Sequence, residues 1–194
     1  MPPLPRLPPP ASPRPRSSGA MDYLWSPWRY QYVTTADQTA GCIFCVLPAE
    51  RRDRENLIVH RGRLNFVILN RFPYTSGHLM VVPYEHAPTL ERVAEDTVME
   101  MILLARQAET HLRANYRPDG LNMGINIGKA AGAGVAGHIH MHVLPRWVAD
   151  ANFMTSVGET RVLPEDLSTT YEKLTAAWNH AKDVEPQMDT DKHR

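Results

Sequence analysis

The sequence predicts an α+β protein, a mainly antiparallel sheet with a long helix across one face and a second helix near the C-terminal end. Three observations predict it. Short apolar runs of strand length recur between segments rich in turn residues. From Thr89 to about Tyr116, apolar residues instead fall at three- and four-residue spacing. Near the C-terminus, "PEDLSTTYEKLTAAWNHAKD" opens on Pro164, a residue suited to a first helical turn.

The elements follow in order. Residues 1–20, "MPPLPRLPPPASPRPRSSGA", deny the backbone its ladder and helix bonds and read as a disordered tail. Met21 is a candidate natural start, and the single domain is expected over residues 21–183. It opens on an aromatic arm, "MDYLWSPWRYQYV", whose Trp25, Trp28 and Tyr30 are costly to leave in water. "NLIVHRGRLNFVILN" reads as two strands around "RGR", and "HLMVVPY" as a third. The helix then places Leu90, Val93, Ala94, Val98, Met101, Leu104, Ala105, Ala108 and Leu112 on one face. "GLNMGINIG" and "HIHMHVLPR" are two further strands, joined by the small-residue loop "KAAGAGVAG". Residues 184–194 are a frayed, charged end.

Composition narrows the function. The 194 residues carry 21 Lys+Arg and 21 Asp+Glu, so no global basic field points to a nucleic-acid polymer. No apolar run approaches the roughly 20 residues that span a bilayer. The first residues lack the apolar stretch of a secretory signal, and the only two cysteines stand close together. A cytoplasmic protein without a disulfide framework is expected.

Chemistry concentrates in "GHIHMHVLPRW". On a strand, His138, His140 and His142 share one face, and Ile139, Met141 and Val143 point into a core. Three readings compete: a wet strand, a three-histidine metal site, or a nucleophile between two positioning groups. Same-face neighbours on a strand lie about 6.5–7 Å apart, so three imidazoles cannot easily meet one ion at about 2 Å. A central imidazole, largely neutral near pH 7, can form a covalent intermediate. The upstream loop "NIGKAAGAGVAG" suits a phosphate, since its glycines allow close approach and its N–H groups can cradle an anion. It lacks the spacing of a Walker motif. Cys42 and Cys45, in "GCIFC", are compatible with a redox pair, half of a zinc site, or two small core residues. His60 and His78 read as structural or surface residues.

"HIHMHVL", continued by "PR", resembles the signature of the histidine triad (HIT) superfamily. "LNRFPYTSGHLMVVPYEH" resembles the family's first conserved block, so the likeness runs from about Gly41 to Arg146. "WSPWRYQYV" and "ANFM" are similar to the branch that contains bacterial diadenosine tetraphosphate phosphorylases.

The resemblance implies a HIT-like fold and a nucleotidyltransferase or hydrolase acting on dinucleoside polyphosphates through a nucleotidyl-histidine. His140 would be the nucleophile, and His142 would contact phosphate oxygens. Asn70 would face the ribose hydroxyls, and Asn126 the phosphates. Gly132, Ala133 and Gly134 would form the phosphate turn, with Lys129 beside it. Relatives often carry a hydroxyl residue where this chain has Gly134 and Val135. Cys42, Cys45, His86 and His138 would hold a structural zinc, and no organic cofactor is implied. A homodimer is the implied assembly. The alternatives are a hydrolase of nucleoside phosphoramidates or adenylylated amines, and a nucleotide-binding regulatory module.

Overall fold

The computed structural model describes residues 41–148, 150 and 163–184. The proline-rich tail, the aromatic arm, the "ANFM" segment and the chain beyond Val184 lie outside the described residues. Five strands form one sheet: β1 (Ile58–Arg61), β2 (Asn65–Leu69), β3 (Leu79–Pro83), β4 (Gly120–Ile125) and β5 (Met141–Arg146). Their order is β1-β2-β3-β5-β4, and every neighbouring pair is antiparallel. The helices are α1 (Ile43–Ala49), α2 (Glu95–Tyr116) and α3 (Leu167–Val184).

Alternation along the strands divides the core in two. Val67, Leu69, Leu79, Val81, Met141 and Val143 pack against Met101, Leu104, Ala105, Ala108 and Leu112 of α2 and against Tyr171, Leu174 and Trp178 of α3. The opposite face gathers Ile58, Phe66, Ile68, Met80 and Val82 around Phe44 of α1. Central strands β2 and β3 are buried throughout because both faces are covered. Glu100 of α2 closes the β1–β2 turn. Its carboxylate accepts the N–H groups of Arg63, Leu64 and Asn65 at 2.9, 2.7 and 2.7 Å.

Three expected boundaries move. The long helix begins at Glu95 rather than Thr89, after a 3-10 turn at Leu90–Arg92. Val93 is extended there, and it buries its side chain with Ala87 and Ile139 before the helix starts. Ala94 is consequently exposed, and Thr97 and His111 join the buried face. The last strand begins at Met141 rather than His138, because Ile139 N–H donates at 2.7 Å to the Ala87 carbonyl outside the ladder. The C-terminal helix begins at Leu167 rather than Pro164 and runs to Val184. Asp166 sets that start by accepting the Thr169 N–H at 2.7 Å, the bond of an N-cap. Helix α1 was absent from the expected elements. Seven residues with Pro48 among them carry little helical period to read.

Candidate functional site

The histidines keep their common face although only His142 lies within β5. Met80, in the Phe44 cluster, pairs with His142, which places that imidazole on the same side of the sheet. His140 and His142 meet edge to face with centroids 4.8 Å apart. Phe44 touches both His138 and His140, so the row of three is continuous. Ile139 and Val143 point the other way and are buried.

His140 is 4% exposed, and burial holds its imidazole below the ordinary histidine range. Its Nδ1 lies 2.9 Å from the His138 carbonyl oxygen. A carbonyl only accepts, so Nδ1–H donates and Nε2 keeps the free lone pair. The ring is a neutral base or nucleophile with its reactive nitrogen already defined.

His142 is fixed by His78, whose sequence context reads as structural or surface. His78 is fully buried just before β3. Its Nδ1 accepts the Tyr74 N–H at 3.2 Å and lies 3.3 Å from the Asn70 side-chain nitrogen. Its Nε2–H therefore donates to His142 Nδ1 at 2.9 Å, which leaves the His142 proton on Nε2. His142 thus presents a donor where His140 presents a lone pair. Gly77 makes this placement possible. Its φ is +80°, and a Cβ there would stand 2.9 Å from Leu112 of α2. The signal for His78 was its parity: it alternates with Met80 and Val82 on the triad's face. His60 does pack structurally, stacked on Trp178.

Asn70 sits beside this relay, opposite His78 in the β2–β3 register, with its N–H on the His78 carbonyl at 2.9 Å. Its side-chain oxygen accepts the Phe72 N–H at 3.0 Å. The β4–β5 ladder ends at Ile125↔Met141, and one further step of that register sets Asn126 opposite His140. Lys129 opens a 3-10 turn, Lys129–Ala131, between Gly128 and Gly132, both at positive φ. This turn uses the N–H groups of Gly132 and Ala133 internally, at 3.0 and 3.4 Å. Gly134 follows it, and Val135 packs on the Phe44 cluster.

Cys42, Cys45, His86 and His138 converge, with their ligand atoms within 4.8 Å of one another. His138 Nδ1 is 3.3 Å from Cys42 Sγ, 3.6 Å from Cys45 Sγ and 3.3 Å from His86 Nδ1. Cys45 Sγ lies 3.3 Å from His86 Nδ1. Tetrahedral zinc with ordinary Zn–N and Zn–S bonds would need edges of about 3.3–3.8 Å. His138 Nε2–H donates at 2.9 Å to the Pro83 carbonyl, which turns its Nδ1 lone pair into the cluster. Burial, then Cys42, pushes the Cys45 thiol up, and a divalent cation is a partner that would let it ionise. The donor set fits zinc.

A strand-end row of histidines, one with its lone pair free, beside a Cys2His2 cluster, defines the class. The model of the HIT domain matches residues 51–148. The chain belongs to the HIT family. It is 37% identical over 162 residues to an AP-4-A phosphorylase of Mycobacterium tuberculosis, covering 80% of this chain and 83% of that one. A bis(5'-adenosyl)-triphosphatase of Dictyostelium discoideum is 28% identical over 93 residues, 48% of this chain and 62% of that one. Among solved structures, a zinc-bound histidine triad family protein from Mycobacterium smegmatis aligns with a TM-score of 0.61 at 29% identity. That alignment covers 75% of this chain and 98% of the other. No helix among the described residues is long and apolar enough to cross a membrane.

Proposed function

We propose that the protein is an enzyme that splits dinucleoside polyphosphates, and that phosphate is its second acceptor. The observation that carries this reading is the pair of complementary nitrogens, a lone pair on His140 Nε2 and a proton on His142 Nε2. The similarity to an AP-4-A phosphorylase supports the substrate class. His140 Nε2 attacks the α-phosphorus, and the P–O bond to the departing nucleotide breaks with its electrons. The nucleoside monophosphate then sits on His140 through a P–N bond. Phosphate displaces it in the second step and returns the electron pair to Nε2. His142 Nε2–H donates to the phosphate oxygens as charge builds there. Asn70 reaches the ribose hydroxyls, while Asn126, Lys129 and the turn Gly132, Ala133 and Gly134 face the polyphosphate, with the Gly132 and Ala133 N–H groups shaping the turn itself. Cys42, Cys45, His86 and His138 hold a structural zinc, which fixes the end of the triad segment. One zinc per chain is expected on metal analysis of untagged protein; none, with both thiols reduced, would remove the metal.

Labelled diadenosine tetraphosphate, incubated with and without phosphate, tests the reaction. ADP plus ATP, formed only with phosphate, is the expected result. AMP plus ATP would make the enzyme a hydrolase, and tight binding without turnover would make it a binding module. A homodimer is part of the same reading. Strand β4 is a sheet edge with exposed Asn122, Met123 and Gly124, and α2 exposes Met99, Ile102 and Leu103. Such surfaces support a two-fold contact. Light scattering at micromolar concentration should give twice the chain mass, and an active monomer would show the contact to be unnecessary.

A further inference from the structure

Phe44 lies between the two cysteines in sequence and against two triad histidines in space. Its side chain is 2% exposed. The ring meets His140 at 4.9 Å between centroids with a 53° tilt, and His138 at 5.5 Å nearly edge-on. It belongs to the buried cluster that includes the sheet residues Ile58, Phe66, Ile68, Met80 and Val82. One side of the His140 imidazole is thus backed by a ring that α1 carries.

Helix α1 has seven residues, too few to be stable alone. Tertiary anchors must hold it, and two flank Phe44. Cys42 and Cys45 meet His138 and His86, which belong to distant parts of the chain. Whatever fixes those two thiols fixes the residue between them.

We propose that Phe44 is a positioning residue through which the cysteine–histidine centre holds His140. The centre pins α1, and α1 holds the Phe44 ring against the imidazole. The ring keeps Nδ1 on the His138 carbonyl and Nε2 toward the substrate. This rests on His140 being the nucleophile. Without the ring, the imidazole gains rotational freedom, and a nucleophile misplaced by an ångström costs roughly a hundred-fold in rate.

The test compares wild type, Phe44→Ala and Phe44→Leu in the full chain, each zinc-loaded and each stripped by chelator. Three quantities are read: kcat and KM with diadenosine tetraphosphate and phosphate, zinc content, and the His140 Nδ1–H resonance in imidazole-selective nitrogen NMR. Zinc-loaded Phe44→Ala should keep its metal and its KM, lose roughly a hundred-fold in kcat, and lose the ring proton to solvent exchange. Phe44→Leu, which keeps apolar volume, should recover about ten-fold of that loss. Stripping should cost the wild type more kcat than it costs Phe44→Ala, since the variant has already lost the route through the ring and keeps only the one through His138 and its carbonyl. Wild-type kcat with an unchanged ring proton in folded, loaded Phe44→Ala would overturn the proposal. Equal losses on stripping in both backgrounds would overturn it too. Should the alanine variant fail to fold, Phe44→Leu decides by the same two readouts. Failure of the nucleophile assignment is seen separately, as turnover by His140→Ala, and leaves the ring-proton readout intact.

Discussion

On the helix-covered face of the sheet, His60 and His111 flank Trp178, with ring centroids 5.8 and 4.3 Å away. On the opposite face, His78, His138 and His140 are buried and His142 is half-buried, and their ring nitrogens meet named hydrogen-bond partners. Burial does not separate the two groups, for His111 and His140 are both buried and both pushed down by desolvation. What differs is direction. The His111 ring fills space against an indole. The triad-side rings have their protons assigned, so each offers a defined lone pair or donor. A histidine becomes chemically useful where its second nitrogen is already engaged.

The comparison breaks most sharply at His140. Changing His140 to Ala should lower turnover by at least about 10⁴-fold, as expected for a nucleophile, with nucleotide binding by calorimetry close to wild type. Turnover within ten-fold of wild type would put both faces in one structural category. Next comes Trp178→Ala. It should cost about 3–5 kcal/mol of unfolding free energy and leave kcat within about two-fold at temperatures where the variant is folded. A large kcat loss there would couple the two faces. Glu100→Gln, at the β1–β2 turn, should cost about 1–3 kcal/mol in denaturant titration. Burial alone would raise this carboxyl, but the bonds from Asn65, Leu64 and Arg63 outweigh it and hold it below its usual range. The ion's contribution is therefore present above the unfolded value, near 4.3, and is lost as pH falls through the lower folded one.

The smallest effect is acid lability of the helix-covered face. Burial lowers His111, so below about pH 6.5 the unfolded chain takes up a proton that the folded chain refuses. Stability should fall on acidification, and His111→Phe should flatten that slope in denaturant titrations between about pH 7.5 and 5.5. His138 and His140 shift in the same direction and will keep part of the slope. An unchanged slope in the variant would assign all of it to the triad side.

Much of this was legible in the sequence. All five strands and the buried stripe Met101, Leu104, Ala105, Ala108 and Leu112 follow from apolar period, because packing against a sheet rewards that period. Cys42, Cys45, His86 and His138 were named from a family likeness, and the structure brings them together. Starts of elements were poorly legible, since contacts from elsewhere set them: Ala87 on Ile139, Asp166 on Thr169, and burial of Val93. His78 escaped because parity puts it on the triad's face without naming its partner, His142, 64 residues away. Helix α1 escaped for a similar reason, being held by tertiary contacts around Phe44.

The cysteine–histidine cluster also has a history within each round of synthesis. Cys42 and His138 are 96 residues apart. At typical elongation speeds of ~5–20 residues per second, Cys42 leaves the ribosome ~5–20 s before His138. During that interval, the earlier ligands cannot close the native four-donor set. The four-residue centre can form only after nearly the whole sheet has been made, so uptake of the proposed metal would be a late event in the birth of this domain.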